Sequence, residues 1–429
     1  MQRFLGFFCW LCTIFALLFK SKITMTQAQA AMNHLSDRIN NMQESATIKM
    51  AKMSRELKAQ GKDIIDLSLG EPDFDTPQHI KDAAKVAIDQ GYTKYTPVPG
   101  YPELRKAIAA KFKRDNNLDY TIDEIVVSTG AKQSIANVVL ALVNPGDEVL
   151  LPAPYWVSYA AVAELAEGKC VEIPTTIDSD FKVTPALLEK YISDKTKMII
   201  FSSPCNPTGS VFSKEELAAL AAVIAKHPNV FVLCDEIYEY INFTGQRHTS
   251  LAEFTEIKDQ VITVNGFSKG FAMTGWRLGY IGAPKWIAQA CDKMQGQFTS
   301  GTCSISQKAG EAALLSDLAP TYKMVEEFKK RRDLVYGLLK EIPGLKVNLP
   351  EGAFYFFFDV SAYFGKSFNG KTLNTPEDIS LYLLAEGNIA AVSGEAFGDK
   401  NCLRISYATS EEKLREACNR MKEALAKLS

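Results

Sequence analysis

The chain has 429 residues, 47% of them hydrophobic and 23% charged, with a formal net charge of −2. That composition builds large globular cores over roughly two or three domains. So balanced a charge advertises no basic surface for nucleic acid, and no repeat period or low-complexity segment appears.

The first feature in chain order is an apolar run at residues 4–19, flanked by Arg3, Lys20 and Lys22. It is short for a membrane span and closer to a signal-peptide core. Ala28-Gln29-Ala30 offers a small-x-small cleavage site, which leaves an exported form open. Translation from Met25 or Met32 would instead put the run outside the working protein. That reading is preferred here, because the remainder is patterned like an enzyme of the cytoplasm with no membrane role. Nine cysteines form an odd set without framework spacing, and the CxxC at Cys9 and Cys12 lies inside the apolar run. Free thiols in a reducing compartment follow. No HExxH or paired CxxC points to a metal.

Helical spacing covers 45–60, and 64–69 reads as a short strand ended by Gly70-Glu71-Pro72-Asp73-Phe74. Thr76 is expected to cap a helix with Pro77 at its first position and Gly91 after its end. Residues 92–100, aromatic and pinned by proline, form a long loop of the functional kind. A helix over 101–114 follows, and then the pattern alternates β-α-β-α. Strand 125–128 turns through Thr129-Gly130-Ala131-Lys132 into helix 133–143, which presents free N–H groups to an anion. Strand 148–151 precedes Pro154-Tyr155-Trp156, which opens the next helix. Strand 170–173 precedes a helix begun by Thr184-Pro185. Strand 198–201 leads to Asn206 between two prolines, and Ser213 with Glu216 makes a capping box. Buried strand 230–234 delivers Asp235-Glu236-Ile237-Tyr238. Strands near Val261 and Tyr280 complete an α/β sheet of about seven strands. From Ser316 the character changes: a charged helix to about Glu341, strand-like pieces at 346–348, 354–360, 390–392 and 403–407, and a helix over 411–427. The expected division is an extension at 1–31, part of a small domain at 32–74, a large domain at 75–315 and the rest of the small domain at 316–429.

Strand 261–264 runs into Ser268-Lys269-Gly270, with Gly266 and Gly270 expected to free the backbone for a sharp turn. Lys269 thus sits at a strand end, where open α/β sheets bind ligands. Burying an unpaired ammonium is costly, but desolvation and cationic neighbours make an amine a nucleophile toward aldehydes. Gly266-Phe267-Ser268-Lys269-Gly270 also matches a serine-hydrolase elbow. That fold places its histidine after the serine, and all four histidines here precede Ser268. An amine, the carboxylate Asp235, Arg277 and an anion turn at Gly130 to Lys132 fit pyridoxal phosphate. Asp235 would keep its ring nitrogen protonated, Tyr238 would bond its ring oxygen, and Arg277 would pair with its phosphate.

These motifs, with Lys94-Tyr95, Pro154-Tyr155-Trp156-Val157-Ser158-Tyr159, Asn206-Pro207-Thr208-Gly209, Gly275-Trp276-Arg277 and Arg404-Ile405-Ser406-Tyr407, resemble the fold-type I, class I aminotransferases. The likeness runs from about residue 35 to the C-terminus and is strongest to the bacterial aspartate/prephenate branch. It implies a mostly parallel seven-stranded sheet with helices on both faces, plus a smaller α+β domain. It also implies a ping-pong exchange between aspartate and 2-oxoglutarate, with aromatic or prephenate transamination and β-lyase chemistry as alternatives. Lys269 is similar to the Schiff-base lysine that moves the proton, and Arg404 to the clamp on the substrate α-carboxylate, with Gly70 beside it. Trp156 resembles the aromatic stacked on the cofactor, with Asn206 at ring oxygen and carboxylate. Tyr95 resembles a tyrosine that reaches the phosphate across a homodimer interface, so that the two active sites are shared. The segment 285–307 lacks the arginine that better-known members use for the distal carboxylate. In the resembling branch a lysine takes that role, here Lys132, and Thr47 helps with larger acids. Gly266 stands where a phosphate-binding serine is usual, leaving Ser268 as its substitute.

Overall fold

The structure, a computed structural model, describes residues 34–42 and 44–429. The apolar run, the Ala28–Ala30 cleavage site, Cys9, Cys12 and the starts at Met25 and Met32 lie outside the described residues. The chain divides into two units, Met1–Gln43 and Glu44–Ser429. The described part of the first holds one short helix, Asp37–Asn41.

In the second unit β1 (Ile65–Asp66) is followed by β2 (Ile125–Ser128), β3 (Glu148–Ala153), β4 (Lys169–Pro174), β5 (Thr196–Ser202), β6 (Phe231–Asp235), β7 (Val261–Gly266) and β8 (Gly279–Gly282). Strands β2 to β8 form one seven-stranded sheet in the order β2-β8-β7-β6-β5-β3-β4. Only β8 runs against its neighbours. Both faces are buried, which is why the strands read as unbroken apolar runs. Ile199 and Phe201 of β5 enter one core with the helices Gln78–Asp89, Pro102–Asn116 and Lys214–Ile224. Met198 and Ile200 enter the other, with Ala131–Leu142, Ser158–Leu165 and Lys285–Phe298.

A second set follows: β9 (Tyr355–Asp359), β10 (Ser367–Phe368), β11 (Lys371–Thr372), β12 (Ile389–Ala390), β13 (Val392–Ser393) and β14 (Cys402–Ser406). β13, β14 and β9 make an antiparallel sheet, and β1 pairs with β12 in parallel. Their core includes Phe328 of helix Ala319–Lys340, Ile379 of Pro376–Glu386 and Met421 of Glu411–Leu425. Helix Ala46–Ala59 packs Met50 against Ile64, Leu384 and Ala390.

Several sequence-based expectations are corrected. The strand at 64–69 shortens to two residues, because its partner β12 offers only two. The piece at 346–348 makes a single bridge, Lys346 to Asp359. Pro154-Tyr155-Trp156 does not open a helix; the helix begins at Ser158. Thr76 is not a cap: Pro77 holds that position, and the Thr76 hydroxyl donates to Ala272 O at 2.6 Å while accepting from Trp276 Nε1 at 3.0 Å. The helices Lys285–Phe298, Ser304–Leu315 and Pro376–Glu386 were not among the expected elements. Nor do Gly266 and Gly270 adopt positive φ; around the lysine that conformation falls on Ala272 and Arg277, at 51° and 54°. The two glycines serve close packing instead. A Cβ at Gly270 would sit 2.6 Å from Tyr240 Cδ2, and one at Gly266 3.0 Å from Gly279 Cα.

Candidate active site

The parallel strands of the large sheet end on one rim, the ligand-binding edge of open α/β folds. β2 leads there to Gly130, β3 to Trp156, β5 to Asn206, β6 to Asp235 and Tyr238, and β7 to Lys269. A cavity of about 280 Å³ joins them to Arg404 of β14. Of the residues expected from sequence, Gly70, Thr47, Ala131, Lys132, Trp156, Asn206, Asp235, Tyr238, Ser268, Lys269, Arg277 and Arg404 all line it. Gly130 lies directly behind Arg277: it takes φ +83°, and a Cβ there would strike the guanidinium. Tyr95 is not brought to the cavity and is 98% exposed.

Lys269 Nζ donates to Gly70 O at 2.5 Å. Burial pulls its pKa down to about 8; Glu71 and Asp235 oppose the shift, while Arg404 and Arg277 assist it. A neutral, nucleophilic amine is therefore present near neutrality. Asp235 accepts from Tyr159 Oη at 2.8 Å and from Ile237 N at 3.2 Å. Burial nevertheless pushes its carboxyl up to about 6, so a cationic partner in the cavity would stabilise the carboxylate.

The segment 235–240 is held from behind. Asp235, Ile237 and Tyr238 line the cavity, while Glu236, Glu239 and Tyr240 anchor elsewhere. Glu236 accepts from Ser250 Oγ at 2.6 Å and lies 3.3 Å from His248 Nε2. Glu239 pairs with Lys111 and accepts from Asn116 Nδ2 at 3.0 Å. Tyr240 Oη donates to Asp115 at 2.7 Å. Buried charges of this kind persist only when paired, and here the pairs fix the direction in which Asp235 and Tyr238 point.

Arg404 is 1% exposed. Its Nη1 donates to Asn206 Oδ1 at 3.0 Å and its Nη2 to Ser68 O at 2.5 Å. Its Cζ lies 4.7 Å from the Tyr355 ring and 4.8 Å from the Phe397 ring. Nε has no partner among the described residues, which leaves donors for an incoming carboxylate. Lys132 Nζ sits 4.8 Å over the Trp156 ring, its pKa lowered by burial and by Arg277.

Tyr355 escaped the sequence reading, and Tyr159 stood there only within the motif 154–159, without a role of its own. Tyr159 had a signal: it stands three residues after Trp156, across the turn that leads into helix Ser158–Leu165, and the rings meet at 5.5 Å. Tyr355 had none, because β9 is buried throughout and shows no alternation.

The cavity fits an aldehyde carrying a phosphate and a ring nitrogen. The amine of Lys269, the under-compensated carboxylate of Asp235 and the Gly130 turn against Arg277 are what such a group requires. The first amides of helix Ala131–Leu142 lack intrahelical partners and favour an anion.

Comparison with known proteins agrees. The family described as aminotransferase class I and II matches residues 62–421. The chain is 48% identical to a bifunctional aspartate aminotransferase and glutamate/aspartate-prephenate aminotransferase of Petunia hybrida, over 91% of this chain and 82% of that protein. It is 47% identical to a probable aspartate/prephenate aminotransferase of Rickettsia bellii, over 92% and 100%. The crystal structure of the Rhizobium meliloti aspartate aminotransferase superposes with a TM-score of 0.89 at 43% identity, covering 92% of this chain and 99% of that one. The Thermus thermophilus aspartate aminotransferase with maleate gives 0.86 at 39%, covering 91% and 99%. A match that runs through both sheets, at this identity, places the chain in the class I and II aminotransferases, which work with pyridoxal phosphate.

Proposed function

We propose that the protein is an aspartate aminotransferase, exchanging the amino group of L-aspartate with 2-oxoglutarate to give oxaloacetate and L-glutamate in two alternating half-reactions. The observation that carries this reading is a single cavity in which an amine of pKa about 8 meets a buried carboxylate and two guanidiniums.

Pyridoxal phosphate, when bound, supplies a protonated ring that draws off negative charge developing at the substrate Cα. Asp235 holds the ring nitrogen's proton, since a neighbouring anion raises that pKa. Gly130, Ala131 and the Lys132 backbone, with Arg277 and Ser268, take the phosphate. Trp156 covers the ring, and Asn206 and Tyr238 address its oxygen. Arg404 clamps the substrate α-carboxylate beside Gly70. Lys132 Nζ receives the distal carboxylate, with Thr47 admitting larger acids. So fixed, the substrate would present its Cα proton to Lys269 Nζ, which would carry it from Cα to the cofactor's C4′.

The division into a large domain at 75–315 and a small one at 32–74 and 316–429, apart from the extension at 1–31, belongs to the same proposal, supported by the cores around the two sheets. So does a homodimer in which Tyr95 of each copy completes the phosphate site of the other; its near-total exposure in one chain supports this. A cytoplasmic location is supported by seven free thiols among the described residues. Among those residues no helix is long and apolar enough to cross a membrane.

A second reading, transamination of prephenate-type acids, is favoured by the names of the relatives from Petunia hybrida and Rickettsia bellii. A panel of amino donors and oxo acids separates the two, and aspartate with 2-oxoglutarate is expected to give the highest kcat/KM. Lys269→Ala should abolish turnover; a normal rate in that variant refutes the assignment.

A further inference from the structure

Tyr355 joins the two sheets at the cavity. It opens β9 of the small sheet, yet its hydroxyl lies 2.7 Å from that of Tyr238, just beyond β6 of the large one. The rings meet edge to face, with centroids 5.9 Å apart at 81°. Tyr355 is fully buried and lines the cavity. Two of its other contacts are with the site as well. Its ring supports the Arg404 guanidinium at 4.7 Å. A Cβ at Gly70 would fall on its hydroxyl, so only glycine lets the chain pass there.

Two phenols in contact have two protons and one shared hydrogen bond. One hydroxyl donates to the other, and the acceptor's own proton is then free to point elsewhere. Tyr238 faces the cavity, so a hydrogen bond donated by Tyr355 leaves the Tyr238 proton for an acceptor inside it.

We propose that Tyr355 is a positioning residue: by donating to Tyr238, it aims the Tyr238 O–H at the ring oxygen of the bound cofactor. This rests on the reading above that Tyr238 addresses that oxygen. Two hydroxyls in series polarise one another, so the outer one should strengthen the donation of the inner. A donor aimed at an oxygen lowers that oxygen's proton affinity. Removing either hydroxyl should therefore raise the pH at which the bound cofactor changes its visible absorbance.

The test is a spectrophotometric pH titration of the holoenzyme in four forms: unaltered, Tyr238→Phe, Tyr355→Phe and the double variant. Tyr238→Phe should raise the midpoint by about one unit or more, and Tyr355→Phe by about half a unit. The double variant should match Tyr238→Phe alone, because Tyr355 acts only through Tyr238. An unmoved midpoint in Tyr355→Phe, with Tyr238→Phe shifted, overturns the inference and leaves the reading of Tyr238 intact. So does a double variant whose shift is the sum of the two. An unmoved midpoint in Tyr238→Phe overturns the Tyr238 reading itself, and the inference with it. Tyr355→Phe keeps the ring beneath Arg404, so a purely packing role would leave the midpoint where it was.

Discussion

Arg404 and Arg277 face the same cavity in opposite surroundings. Arg404 is sealed: two aromatic faces, an asparagine and a backbone carbonyl hold it, and water does not reach it. Arg277 is exposed, with Nη1 on the Thr274 carbonyl and Gly130 behind it. A sealed guanidinium suits a ligand that arrives and leaves in every cycle, since its donors are preset and its desolvation is already met. An open one suits a group that stays, and it leaves room for a further chain to close over it. Under the proposed roles, the substrate half of the site would be held within one chain, and the phosphate half is where the proposed second copy would close.

The largest expected effect tests the sealed side. Arg404→Gln should lower kcat/KM for aspartate by about 10²–10⁴-fold, from two charge-assisted hydrogen bonds at about 1.5–3 kcal/mol each. Cofactor absorbance should stay, and losing it as well would merge the two halves. Next comes the amine between them. In cofactor-free protein, Lys269 should be acetylated at a rate that rises with pH and levels off above about 8. Its pKa is depressed, so about half is neutral at pH 8, against roughly 1% or less for an ordinary lysine. Mass spectrometry of the labelled peptide across pH 6–11 reads this, and a midpoint above 10 would contradict the burial argument. On the open side, Arg277→Gln should weaken cofactor binding by about 10–100-fold, through one lost charge-assisted pair. At saturating cofactor its kcat should stay close to normal, a split that equilibrium dialysis and kinetics together resolve. The smallest change is in Lys132→Ala: KM for aspartate should rise about tenfold while that for phenylalanine barely moves. Equal rises would show that Lys132 does not read the distal carboxylate.

The strands of the large sheet were legible because they are buried on both faces and read as apolar runs. Caps that act over three residues were legible too: Thr184 accepts from Leu187 N, and Ser213 with Glu216 closes a full box. Thr76 looked like the same signal and was not, because its hydroxyl answers to Ala272, nearly two hundred positions away. The glycines beside Lys269 misled in the same way, their purpose being the approach of Tyr240 and Gly279. Lys269, Asp235 and Arg277 could be named in advance, since polar groups at strand ends and in the turns beyond them stand out against what surrounds them; Arg404, in the middle of β14, came from the resemblance alone.

By itself the sequence determined which side chains stand at the strand ends of the large sheet and where the helices with clear caps fall, because period, caps and turn residues act within a few positions. Tertiary structure alone decided how those side chains behave. The acidity of the Lys269 ammonium, the need of Asp235 for a cation, the sealing of Arg404 and the meeting of Tyr238 with Tyr355 all depend on groups far apart in the chain. Desolvation and Coulomb fields are set by distance in space, and distance in space is what the fold supplies.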